Sequence, residues 1–176
     1  MKKFSMVNLF IVILLFFLGI NTSAKAETFY YPDETNTKFQ ITIPANWQVE
    51  KLPEGRYSFT SPTEEIKAYL FTVRGNEDYA LNVLVSETEV ILKYDVNNPS
   101  ILGGGFRPMQ LNGMTATQLK SKGTRADDKE PIVLDFIIFS PDRQLWALLH
   151  AIYDLNTPKQ EQKDFVNLVR SIKPPA

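Results

Sequence analysis

Residues 132–153 read Ile-Val-Leu-Asp-Phe-Ile-Ile-Phe-Ser-Pro-Asp-Arg-Gln-Leu-Trp-Ala-Leu-Leu-His-Ala-Ile-Tyr, two apolar runs around a polar break at Ser140-Pro141-Asp142-Arg143. An antiparallel strand with one wet face alternates apolar and polar side chains; a near-continuous apolar run belongs to a sheet covered on both sides. The covering layers must then be helices. The expectation is an α+β domain: an antiparallel β-sheet covered by helices on both faces. Two polar residues interrupt the runs. Asp135 is the only charge between Ile132 and Phe139, and His150 is the only histidine in the chain. A hairpin turning at Pro141-Asp142 sets Val133 opposite His150 and Asp135 opposite Leu148. Asp135 and His150 are then diagonal neighbours on one face, roughly 5 to 7 Å apart at Cβ. Burial of either group alone is costly, so the expected arrangement is mutual satisfaction, with Trp146 beside them.

Outward from this hairpin, the C-terminal segment carries Phe165, Leu168, Val169 and Ile172 at helical spacing and stops at Pro174. Thr157 and Gln160 match a capping box around Pro158. On the N-terminal side, Asn112-Gly113 between Met109–Leu111 and Met114–Leu119 predicts a tight hairpin, because a type I′ turn needs positive φ at both central residues. Gly103-Gly104-Gly105 lacks the Lys-Ser/Thr pair of a phosphate cradle and is read as a bend or bulge. Leu81, Leu84, Val85, Thr88, Ile91 and Leu92 form a helical stripe over Asn76–Tyr94, with Asn76 as cap and Glu77 and Asp78 at the positive end of the dipole. Strands precede it: Phe39, Ile41 and Ile43 alternate with polar residues up to Pro44, and further strands follow from Trp47, over Tyr57–Thr60 and over Ile66–Val73.

The first 26 residues read differently. Lys2 and Lys3, an apolar stretch from Leu9 to Ile20, and Ala24-Lys25-Ala26 have the three-part form of a secretory signal, with cleavage expected after Ala26. Residues 27–176 then form one domain. Cleavage deletes Lys2, Lys3 and Lys25 and no acid, taking the formal charge from −1 to −4. A mildly acidic surface is not the electrostatic footprint of a nucleic-acid binder, and no membrane insertion is expected after cleavage. With no cysteine, the chain has no disulfides, thiol chemistry or cysteine-ligated metal.

No catalytic grouping emerges. An acid–base role for Asp135 and His150 needs a placed nucleophile, and a zinc site needs further ligands. Asp127-Asp128-Lys129-Glu130 lacks the oxygen spacing of a calcium loop and reads as a solvated loop. Glu64-Glu65 reads as surface charge. Lys120, Lys122 and Arg125 are the one local basic cluster. Tyr30, Tyr31, Tyr57, Tyr69 and Phe71 are expected to crowd one side of the N-terminal strands, where any left exposed would mark a partner groove.

Phe39-Gln40-Ile41-Thr42-Ile43-Pro44 with Trp47, then Asn112-Gly113 before a strand, the two long strands and the closing helix with Phe165, Val169, Arg170, Ser171 and Ile172 resemble the Mog1/PsbP-like superfamily, including its small exported bacterial members. The resemblance implies an α/β/α sandwich and a non-enzymatic accessory role, by assembly or chaperone-like binding of another macromolecule in the cell envelope. No cofactor is expected. The alternative expectation is a small-molecule or metal-ion binding protein using the face of Asp135, Trp146 and His150.

Overall fold

A computed structural model describes residues 25–175; the signal-like segment up to residue 24 lies outside the described residues. Strands β1 (Glu27–Tyr31), β2 (Phe39–Ile43), β3 (Gln48–Lys51), β4 (Tyr57–Thr60) and β5 (Ile66–Arg74) lead into helix α1 (Glu77–Tyr94). Strands β6 (Val96–Leu111), β7 (Met114–Arg125), β8 (Pro131–Asp142) and β9 (Leu145–Asp154) follow, and helix α2 (Lys159–Ser171) closes the chain. β1 and β2 form a separate two-stranded sheet, and the other seven strands form one antiparallel sheet in the order β3-β4-β5-β9-β8-β7-β6. The two apolar runs around Ser140-Pro141-Asp142-Arg143 are thus β8 and β9 at the centre of this sheet, where both faces of a strand are shielded.

Alternate residues of these strands feed two buried clusters. Ile137, Phe139, Leu145, Ala147, Leu149 and Ala151 pack with Phe165, Leu168, Val169 and Ile172 of α2. The residues between them, including Ile132, Leu134, Phe136, Ile138 and Leu148, pack with Ala80, Leu84 and Ile91 of α1. The expectation of a purely helical cover needs correction, since Phe39, Ile41 and Ile43 of the β1–β2 ribbon share the α2 cluster. A five-residue alternating strand buries one row of side chains, and the ribbon places that row beside the helix.

Local chemistry explains the element ends. Asn76 caps α1 by accepting from the Tyr79 backbone N–H at 2.9 Å, satisfying one of the orphan donors of the first turn. Asn112 (φ 48°) and Gly113 (φ 87°) form the expected turn, and the Asn112 amide also donates to the Arg170 and Ile172 carbonyls at 2.8 and 2.7 Å, tying the hairpin to the end of α2. The glycine run lies in a register break of β6 against β7 between Leu102 and Arg107, with φ of 81°, 84° and 132°, a path that residues with a Cβ avoid. The capping box at α2 does not form. Pro158 occupies the cap position without a side-chain bond, Thr157 Oγ1 is buried without a partner, and Gln160 instead donates to Asp164 at 2.8 Å.

The hairpin register is the main correction. The turn falls at Arg143-Gln144, stabilised by the Gln144 N–H donating to Asp142 Oδ1 at 2.9 Å, two residues later than the sequence suggests. A bulge then sets Ser140 and Pro141 against Trp146 alone, between the pairs Phe139–Ala147 and Asp142–Leu145. The Ser140 hydroxyl donates across this bulge to the Asp142 and Leu145 carbonyls at 2.6 and 3.1 Å. Because side chains alternate with period two, the combined shift changes which of them share a face. Asp135 pairs with Ala151 and His150 with Phe136, so Asp135 and His150 point to opposite faces of the sheet.

Candidate functional site

Asp135 and His150 therefore have separate environments. Asp135 is 3% exposed on the α2 side, where its carboxylate accepts from Lys120 Nζ at 2.9 Å and from the Gln118 amide at 2.7 Å. Lys120 stands directly opposite it on β7, so cross-strand pairing supplies the countercharge that the expected pairing assigned to histidine. Tyr153, two residues beyond Ala151 on the same face, has its phenol pushed up to about 12, first by burial and then by the Asp135 charge. Trp146 shares the α1 side with His150 but stands four residues away along β9, about 13 Å at strand rise. Asp135, Trp146 and His150 therefore do not share one face, contrary to the geometry that the alternative expectation assumed.

His150 opens onto a groove. It lies opposite Tyr69 of β5, and their rings stack at 5.1 Å and 27°, with the Phe136 ring at 5.9 Å. Its Nδ1 is shielded from water and has no hydrogen-bond partner. Burial, and secondarily the positive charge of Arg56, push its pKa down to about 4. The imidazole is therefore neutral at pH 7, with one donor and one acceptor nitrogen. No hydroxyl or carboxylate hydrogen-bonds to it among the described residues.

Helix α1 forms the wall. Glu87, Val90, Ile91 and Tyr94 fall at i, i+3, i+4 and i+7, so they line one face together. Arg56 bridges wall and sheet: its guanidinium lies 4.7 Å over the Phe71 ring and reaches Glu87 at 3.1 Å and Glu54 at 3.8 Å. The resulting cavity of about 420 Å³ meets a second of about 440 Å³ lined by Glu64, Glu65, Lys67, Arg125 and Asp127, and the two share Tyr69, Tyr94, Asp95 and Ile152. Each lies in the size range of ligand sites. Tyr94 and Val90 stay 65% and 50% exposed at the mouth.

Of the other sequence candidates, the aromatic group divides: Tyr31 and Tyr57 pack into the α2 cluster, whereas Tyr69 lines the groove and Phe71 packs with the α1 cluster. The basic cluster also divides, with Lys120 held by Asp135 and Arg125 by Asp154 and Asp128. The Asp127–Glu130 loop satisfies itself, with Asp127 and Asp128 accepting backbone N–H groups at 2.7 and 2.9 Å. No group of three or more His, Asp or Glu side chains is placed to hold a metal among the described residues. Sequence reading missed Arg56, Glu87, Val90 and Tyr94. The available signal was Val90 and Tyr94, apolar residues lying off the buried stripe of α1.

Among the described residues, no helix is long and apolar enough to cross a membrane. No protein-family model matches the chain, and no curated protein matches it in sequence. Solved structures do. Cyanobacterial PsbP (CyanoP) from Synechocystis sp. PCC 6803 aligns with a TM-score of 0.61 at 9% identity, over 89% of this chain and 96% of that one. The Ran-binding protein Mog1p of Saccharomyces cerevisiae gives 0.55 at 7%, over 86% and 96%, and LpqN, involved in cell envelope biogenesis of Mycobacterium tuberculosis, gives 0.53 at 15%, over 85% and 91%. Against a longer Bacteroides thetaiotaomicron protein (TM-score 0.57, 10% identity, 85% of this chain), the chain spans about half of the length, 48%. The seven-stranded antiparallel sheet with its two helices is the Mog1/PsbP-like fold.

Proposed function

We propose that the chain is exported, loses residues 1–26, and serves in the cell envelope as a non-enzymatic accessory protein that binds another protein through the α1 groove. In this reading the domain is an α/β/α sandwich whose α1 layer leaves part of the sheet open for docking. The observation that carries it is the groove itself: a neutral, ring-stacked His150 on an aromatic floor, beneath Val90 and Tyr94 left exposed at the mouth. Buried aromatic anchors flanked by polar groups are what protein interfaces use for affinity. The fold supports the reading by analogy, since one structural neighbour is a Ran-binding protein and another is involved in cell envelope biogenesis.

Two measurements test it. Mass spectrometry of the exported fraction should find a mature chain beginning at Glu27; an intact N-terminus confined to the cytoplasm would refute export. A photo-crosslinking residue at Tyr94 should give a reproducible adduct with one envelope protein in intact cells, while the same residue at Val166 on α2, 38% exposed, should not. Equal or absent adducts at both positions would remove the groove as the docking site.

A further inference from the structure

We propose that the α1 groove receives a cationic, amphipathic segment of the partner, about six residues long, with lysine or arginine side chains at the rim and an apolar side chain on the aromatic floor. The proposal rests on the protein-binding reading above and adds the chemistry of the occupant.

Length comes from the topology. The joined cavities reach from Arg56, next to β4, to Arg125 at the end of β7, and the sheet order places β5, β9 and β8 between those strands. Four interstrand steps of about 4.8 Å span roughly 19 Å, and an extended chain rising about 3.3 Å per residue covers that with about six residues.

Charge comes from what the rim leaves unpaired. Arg56 is engaged by Glu87 and Glu54, and Arg125 by Asp154 and Asp128. Glu64, Glu65, Asp95 and Asp127 line the groove without an ion-pair partner among the described residues, against Lys67 alone. Four carboxylates and one ammonium leave three uncompensated negative charges around one opening. An acidic ligand would be repelled, and a wholly apolar one would cover these carboxylates without offering them partners.

The floor favours the same occupant. Tyr69 and Tyr94 line the groove with apolar ring surface, and the Tyr94 ring already holds a cation, Lys93 Nζ at 5.1 Å, the contact that the aromatic quadrupole favours. At the inner end, the His150 ring, stacked on Tyr69 at 5.1 Å, adds floor for the apolar side chain of the docked segment.

The experiment uses purified residues 27–176 and two synthetic hexapeptides, Lys-Leu-Lys-Phe-Lys-Leu and Glu-Leu-Glu-Phe-Glu-Leu, followed by NMR titration in low salt. The lysine peptide should shift Tyr69, Tyr94 and Ile152 and bind about tenfold or more tighter than the glutamate peptide. Its affinity should fall several-fold in 0.5 M salt, where the screening length shrinks to about 4 Å. A similar fall is expected in the triple variant Glu64→Gln, Glu65→Gln, Asp127→Asn, which leaves every buried residue in place. Equal binding of both peptides, or shifts confined to another surface, would overturn the proposal. If crosslinking at Tyr94 captures a partner in cells while the lysine peptide fails to bind, the groove docks a protein and the charge assignment is wrong. If the peptide binds as described and no adduct forms in cells, the groove chemistry stands and the envelope-partner reading falls.

Discussion

The two buried clusters are built from alternating residues of the same strands, yet they end differently. Around α2, the β1–β2 ribbon and the helix together seal the sheet, and Phe39 and Phe139 meet edge to face at 5.1 Å with neither exposed. Around α1, the last buried helix residue is Ile91, and Tyr69, His150 and Ile152 continue past it as a floor without a roof. One strand, β9, thus contributes Leu149 to a closed core and His150 to an open groove. Local sequence is equally suited to both fates, and where the covering element stops decides between them.

The sharpest way to break this contrast is to truncate one aromatic on each side. Phe139→Ala should cost about 3–5 kcal/mol in denaturant unfolding, since it removes a fully buried ring from a close-packed cluster. Tyr94→Ala, at the exposed mouth, should stay within about 0.5 kcal/mol. Comparable losses would mean that the groove is structural packing.

The next effect is a pH dependence. His150 is held neutral in the folded state, with its pKa lowered from 6.5 to about 4, while the unfolded chain takes up the proton at the ordinary value. Stability is then full above pH 6.5 and is lost as pH falls through that window toward 4, by about 3 kcal/mol at the limit. Unfolding midpoints at pH 7 and pH 4 for the wild type and His150→Phe isolate the contribution, because carboxylate titration is common to both. A variant as acid-sensitive as the wild type would place His150 in water.

A smaller effect belongs to the α2 side. Lys120→Ala leaves the Asp135 carboxylate with Gln118 as its sole side-chain partner and should cost about 2 kcal/mol at neutral pH. If Lys120→Ala is silent and His150→Ala alone destabilises, the pairing seen across β7 and β8 does not carry the carboxylate.

The fold was readable because its signals are local. Continuous apolar runs named the central strands, Asn112-Gly113 named a turn through its φ demands, and Asn76 named a helix start through its cap. The site was not readable for an equally physical reason. Asp142 and Ser140 stabilise a turn two residues beyond Pro141 together with a bulge, and the resulting register carried His150 away from Asp135. In the sequence Lys120 is only one member of a basic cluster with Lys122 and Arg125; strand pairing is what sets it against Asp135.

By itself, then, the sequence determined which segments become strands and helices, since backbone propensity, side-chain period and turn chemistry act over a few residues. Only the tertiary structure decided which residues meet. Register parity, the reach of α1 and the assembly of Arg56, Tyr69, Glu87, Tyr94 and His150 around one groove depend on contacts between distant parts of the chain, and no local spacing encodes them.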